Sequence, residues 1–308
     1  MKRILLILSL LLISFSCKKS NNAIVKPQQQ GLITEKAMVV SAREEASKIG
    51  IDILKKGGNA FDAMVGTGFA LAVSYPFAGS LGSGGFMVFR LENGEVGALD
   101  YREKAPLAAT KNMYLDENGD VIPEKSTLGA MSVGVPGTVS GLFAVHEKYG
   151  SLPIQDIIQP VIILANRGIV VTKKQAERFI KYQPQFRKAN KDSIPFFHTW
   201  KENDTIKFPA LANTLSKIML NGTDEFYNGE TADVLVNYIQ DNGGVITKED
   251  LNLYQSKWRK PITFTYDDLK IISMSPPSSG GICLAQIMKM IEPYPVHELS
   301  LIHISEPT

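Results

Sequence analysis

Residues 79–106 read GSLGSGGFMVFRLENGEVGALDYREKAP, and the reading of this stretch decides the fold. A run of glycine and serine leads into Phe86 to Leu91, whose aromatic and branched residues favour a strand. Asn93-Gly94 follows, a pair suited to a two-residue turn with positive φ at both central positions. The chain is therefore expected to fold back, with residues 96–102 as the returning strand. Period-2 alternation places Ala98, Asp100 and Arg102 on one face and Leu99 and Tyr101 on the other. Arg102 then stands at a strand end, beside a loop whose missing side chains leave room for something to approach the main chain.

A guanidinium offers a planar two-pronged donor, and loop N–H groups add further donors, so this arrangement suits a small carboxylate. The plainer reading has the glycines making turns and Arg102 pairing with Asp100 or Glu103. Spacing alone leaves both open. A dinucleotide-binding loop is excluded, because its fingerprint needs a strand before the glycines and a helix after them, and here the strand comes after.

Elsewhere the composition is that of a globular protein, 308 residues with 44% hydrophobic and 21% charged. A formal charge of +2, from 33 Lys and Arg against 31 Asp and Glu, gives no electrostatic case for nucleic acid. Histidines 146, 198, 297 and 303 lack metal-ligand spacing apart from a loose C-terminal pair, so no metal site is expected. The two cysteines are Cys17 and Cys283, and if Cys17 is consumed by processing no disulfide can form within one chain.

The chain opens MKRILLILSLLLISFSCKK. Lys2 and Arg3 precede an apolar run from Ile4 to Phe15 that is short for a bilayer span and reads as the apolar part of an export signal. Cys17, directly after a small residue, resembles the bacterial lipoprotein processing site, in a relaxed form because Ser14 stands where Leu is usual. Cys17 is thus expected to be lipidated and to become the mature N-terminus, with cleavage by ordinary signal peptidase as the alternative. Residues 18–35 are expected to form a flexible tether.

A short strand is expected at 38–41, then a helix carrying Ala46, Ile49, Ile53 and Leu54 on one stripe and stopping at Gly57-Gly58. Asn59 and Asp62 form a reciprocal cap for a second helix, 60–73, apolar nearly all round and so buried. Asn118-Gly119 marks another turn, whose acidic neighbours lack the spaced ligands of a calcium loop. Helices are expected at 139–149, where His146 is read as structural, at 157–168, 210–220 and 231–240, and from Ile282. Thr247 and Asp250 cap a short helix, and 262–266 and 269–274 are strands. The segment 173–204 reads only as helices and loops.

LGSGGFM followed by LDYREKAP resembles the gamma-glutamyltranspeptidases, as does KKGGNAFDAMVGTGFAL at 55–71. The resemblance implies an α+β fold, the αββα sandwich of N-terminal-nucleophile hydrolases. It assigns residues 36–292 to the large-subunit portion, incomplete, and leaves 293–308 as a non-family tail. Arg102 matches the arginine that holds the α-carboxylate of the γ-glutamyl substrate. In this family a precursor cuts itself to expose a threonine at the start of its small subunit. The α-amino group of that threonine, with a reference pKa of about 7.7–8.0, serves as base for its hydroxyl.

That threonine is expected beyond this chain, so no catalytic nucleophile is expected within it. Thr308 has its amine in a peptide bond, and Thr247 and Thr263 sit in matched stretches with other roles. The implied activity is hydrolysis or transfer of γ-glutamyl amides, with no cofactor and with the chain alone inactive. The implied partners are glutathione or another γ-glutamyl donor, the protein's own small subunit, and a cell-envelope membrane through lipidated Cys17, on its periplasmic side. Two alternatives stand beside this: an acylase of the same architecture acting on a β-lactam side chain, and a non-catalytic periplasmic lipoprotein using Arg102 as a ligand grip.

Overall fold

The structure, a computed structural model, describes residues 31–295; Cys17, the export signal and the histidines at 297 and 303 lie outside them. Residues 31–38 belong to a unit of their own and hold no helix or strand, and the elements lie in the unit from Val39 onward. The strand expected at 38–41 does not form. No neighbour offers it a ladder among the described residues, Val40 is exposed, and Val39 packs on the core as a single residue.

Helix α1 (Glu44–Lys55) begins with Glu44 and Glu45 and ends with Lys55, charges that complement its dipole, and buries Ala46, Ile49 and Ile53. Helix α2 (Ala60–Ser74) opens with the reciprocal cap expected from Asn59 and Asp62. Asn59 Oδ1 accepts from the N–H groups of Phe61 and Asp62, and Asp62 Oδ2 accepts from the Asn59 N–H at 2.9 Å. With buried residues on every side, α2 lies against α1 and later helices as the centre of the core.

Asp62 does more than cap. Wholly buried, it also accepts from Ser151 Oγ at 2.5 Å and from the Ser151 N–H at 3.0 Å, tying α2 to a turn far along the chain. Burial works to raise its pKa, but hydrogen bonds from Ser151 Oγ and from the N–H groups of Asn59, Ser151 and Leu152 outweigh burial and hold the carboxyl below its ordinary value. The ionised carboxylate therefore stabilises the fold above its unfolded pKa of about 3.9, and that contribution is lost as pH falls through the lower folded value. Asp62→Ala should cost about 1–3 kcal/mol at neutral pH. In chemical denaturation, the gap from wild type should narrow as the pH is taken below about 3.9.

Strands β1 (Phe86–Arg90) and β2 (Val96–Asp100) pair antiparallel from Phe86↔Asp100 to Arg90↔Val96. Their connection is three residues rather than two. The Gly94 N–H bonds the Leu91 carbonyl at 3.0 Å, the Leu91 N–H bonds the Glu95 carbonyl at 2.8 Å, and Gly94 alone has positive φ. Asn93 spends its side chain on the Glu95 N–H, at 2.9 Å, and leaves the reversal to glycine. Strand β2 also stops two residues early. Gly85 and Tyr101 exchange one further pair of hydrogen bonds, at 3.2 and 3.0 Å, and the Arg102 N–H then turns to the Asp100 carboxylate instead of a neighbouring strand.

Downstream come α3 (Thr138–Tyr149), α4 (Ile154–Arg167), β3 (Ile169–Val170), α5 (Lys173–Ala189), β4 (Thr205–Ile206) and α6 (Pro209–Asn221). Then follow α7 (Thr223–Tyr227), α8 (Glu230–Asp241), α9 (Lys248–Asn252), β5 (Lys257–Arg259), β6 (Ile262–Tyr266), β7 (Leu269–Ser273) and α10 (Gly280–Ile291). The expected helices are present, and α5 fills the start of the unassigned segment, opened by a Thr172/Gln175 capping box. His146 is structural as read, with Nε2 2.8 Å from the Leu152 carbonyl. The Thr247/Asp250 box opens α9, and Asp250 Oδ1 also takes the Leu107 N–H at 2.6 Å. Strand β5 was not foreseen; it pairs antiparallel with β2, Leu99 opposite Trp258, and completes a three-stranded sheet in the order β1-β2-β5.

Candidate functional site

Arg102 lies just past β2, exposed, and forms no ion pair among the described residues. Of the two carboxylates that the plainer reading offered it, Glu103 forms no ion pair with it and Asp100 is taken: Asp100 Oδ2 accepts from Arg259 Nε at 2.8 Å and Nη2 at 2.7 Å. Strand β5 thus supplies the cation that neutralises Asp100, and the Arg102 guanidinium is left free. It borders a cavity of about 390 Å³ lined by Asp100, Arg102, Glu103, Lys104, Tyr254, Gln255, Lys257, Arg259 and Pro277. Basic side chains outnumber acidic ones in this lining, so the cavity attracts anions.

The main chain under Arg102 is held from several sides. Asp100 Oδ1 accepts the Arg102 N–H at 3.1 Å, the Tyr254 hydroxyl donates to the Arg102 carbonyl at 2.9 Å, and Lys104 and Val135 exchange hydrogen bonds of 3.2 and 2.8 Å. Tyr254 is itself buried, stacked on Tyr227 with ring centroids 5.7 Å apart and planes 9° from parallel. Burial above all pushes the pKa of both phenols up, which keeps them protonated and able to donate. Lys104 places its ammonium 4.6 Å from the Tyr254 ring centre and donates to the Gln255 carbonyl at 3.1 Å. Burial and then the Lys257 charge push the Lys104 pKa down, with Asp100 opposing them.

Gly84 and Gly85, just ahead of β1, serve this platform from within. A Cβ on Gly84 would come within 2.5 Å of the Tyr101 carbonyl oxygen and 2.6 Å of the Glu103 nitrogen. On Gly137, at the start of α3, a Cβ would overlap the same carbonyl and the Tyr254 hydroxyl. No residue of 79–85 lines the Arg102 cavity. The expectation that the loop N–H groups join Arg102 in gripping a ligand is therefore corrected for this cavity: what approaches Gly84 and Gly85 is the protein's own 101–103 segment. The loop also caps a helix, since the Ser83 carbonyl accepts from the N–H groups of Gly137 and Thr138, both at 2.9 Å.

Sequence reasoning singled out Arg102 and missed Lys104, Tyr254, Lys257 and Arg259, which the fold brings to the same cavity. Cys17 lies outside the described residues. Among the described residues, no group of three or more His, Cys, Asp or Glu side chains could hold a metal ion.

The sequence profile of the family described as Gamma-glutamyltranspeptidase matches residues 46–306. The glutathione hydrolase proenzyme of Pseudomonas sp. strain A14 is 43% identical over 295 residues, covering 94% of this chain and 51% of its own length. The chain thus spans about half the length of the curated relatives it matches. The crystal structure of Helicobacter pylori gamma-glutamyltranspeptidase superposes with a TM-score of 0.85 at 43% identity, over 88% of this chain and 79% of that one. A cephalosporin acylase from Bacillus halodurans, at 24% identity and a TM-score of 0.73 over 88% of this chain and 53% of its own, shares the fold alone. The mixed helix-and-sheet architecture is that of the N-terminal-nucleophile hydrolases. By its profile match, its relatives and its superposition, the chain belongs to the gamma-glutamyltranspeptidase family.

Proposed function

We propose that this chain is the large-subunit portion of an enzyme that hydrolyses or transfers γ-glutamyl groups from glutathione and related amides, and that Arg102 anchors the donor's α-carboxylate. The carrying observation is an unpaired guanidinium on a main chain fixed on both sides, at the edge of a cavity with excess positive charge. The names of its relatives, glutathione hydrolase proenzymes, support the substrate class.

In this reading the nucleophile is a threonine at the N-terminus of a second subunit, beyond this chain. Its hydroxyl oxygen bonds the γ-carbonyl carbon, and the hydroxyl proton passes to its own α-amine and on to the departing amine. The C–N bond breaks and a γ-glutamyl ester remains. Water or the amine of an amino acid or peptide then displaces the threonine oxygen and takes the glutamyl group. Arg102 holds the far end of the donor through both steps. The protein is exported and lipid-anchored at Cys17, facing the periplasm.

Expression of the full-length gene in a bacterial host tests this. Release of p-nitroaniline from γ-glutamyl-p-nitroanilide should appear in the envelope membrane fraction, and the chain of 308 residues alone should release none. Release by that chain alone, or full-length turnover of a β-lactam side chain in preference to the γ-glutamyl anilide, would overturn the proposal.

A further inference from the structure

Building on the anchoring reading, we infer that Tyr254 is a positioning residue, whose hydroxyl sets the aim of Arg102 by fixing the peptide plane on its C-terminal side. A side chain's launch direction is set by φ and ψ of its own residue, that is, by the two peptide planes flanking its Cα. Both planes at Arg102 are held by side chains. Asp100 Oδ1 takes the N–H of the preceding plane at 3.1 Å, and the Tyr254 hydroxyl donates to the carbonyl of the following plane at 2.9 Å. Asp100 is held in turn by Arg259.

Tyr254 is built to make that one contact. Its ring stacks on the Tyr227 ring and carries the Lys104 ammonium 4.6 Å from its centre. Tyr227 is fixed from behind, because its hydroxyl donates to the Pro136 carbonyl at 3.0 Å and accepts the Ser140 N–H at 3.2 Å. The start of α3 therefore supports Tyr227, Tyr227 supports Tyr254, and Tyr254 supports Arg102. A long, exposed side chain gains most from such support, since a fixed base removes part of the ordering cost of binding. The Tyr254 hydroxyl is spent on the Arg102 carbonyl while the Arg102 guanidinium has no ion-pair partner among the described residues, which separates the role of Tyr254 from that of Arg102.

The test compares Tyr254→Phe, Tyr254→Leu and Arg102→Gln in the full-length protein. The readouts are the Ki of L-glutamate as competitor, kcat/KM on γ-glutamyl-p-nitroanilide and on 4-aminobutyryl-p-nitroanilide, which lacks the α-carboxylate, and the unfolding midpoint. Tyr254→Phe keeps the ring and loses the hydroxyl. It should weaken glutamate binding about 3- to 10-fold, as one neutral hydrogen bond would. It should lower the preference for the γ-glutamyl over the 4-aminobutyryl anilide by the same factor, with the midpoint held. A purely structural tyrosine gives the opposite pattern: Tyr254→Phe leaves Ki and preference at wild type, and Tyr254→Leu lowers the midpoint alone. That pattern, seen while Arg102→Gln abolishes the preference, overturns the positioning role and leaves the anchor standing. If Arg102→Gln itself leaves the preference intact, the anchoring reading fails and the inference falls with it.

Discussion

Replacing Arg102 with Gln in the full-length protein should lower kcat/KM for γ-glutamyl-p-nitroanilide about 100-fold while leaving turnover of 4-aminobutyryl-p-nitroanilide unchanged. The magnitude follows from two charge-assisted hydrogen bonds of a bidentate guanidinium, together roughly 3 kcal/mol, at about 1.4 kcal/mol per tenfold in rate. Arg102→Lys keeps the charge and loses the planar fork, so it should recover only part of the difference. Because Arg102 is exposed and forms no ion pair among the described residues, both variants should unfold within about 0.5 kcal/mol of wild type. A loss that falls equally on both anilides would show that the guanidinium does not read the α-carboxylate.

The second large effect concerns a glycine. Gly137→Ala adds one methyl, yet that methyl would overlap the carbonyl of Tyr101 and the hydroxyl of Tyr254. A backbone carbonyl engaged in the Gly85/Tyr101 ladder cannot rotate out of the way as the tip of a flexible side chain could. Overpacking of this kind should cost about 3 kcal/mol or more, lowering the unfolding midpoint by roughly 6–12 °C. Gly82→Ala is the matched comparison. Its Cβ would meet only Ser80 Oγ at 3.8 Å, and its effect should stay within about 0.5 kcal/mol. Equal midpoints for the two variants would mean that the 101–103 segment yields more readily than its hydrogen bonds imply.

Local signals were legible. The Asn59/Asp62 and Thr247/Asp250 caps, the β1–β2 and β6–β7 pairs and the central helix α2 each rest on residues within a few positions of one another. The α5 cap was equally open to reading, since Thr172 and Gln175 carry the required spacing. Strand β5 was not, because Lys257, Trp258 and Arg259 are too few and too polar to show alternation. At Arg102 the sequence exposed the residue and its type but not its company. Glycine says only that a side chain would not fit; whether a ligand or the protein itself fills the room is decided by tertiary packing. The same limit hid the engagement of Asp100 by Arg259, without which the plainer pairing with Arg102 could not be set aside.

The two contacts that steady this region join positions 152 and 159 residues apart, Tyr254 with Arg102 and Arg259 with Asp100. Contacts of that sequence separation close long loops, and neither can form before residues 254 and 259 have been added to the chain. A nascent polypeptide still short of Tyr254 already carries the arginine, but without the hydroxyl that will hold its carbonyl. Maturation of the grip is thereby timed by synthesis itself.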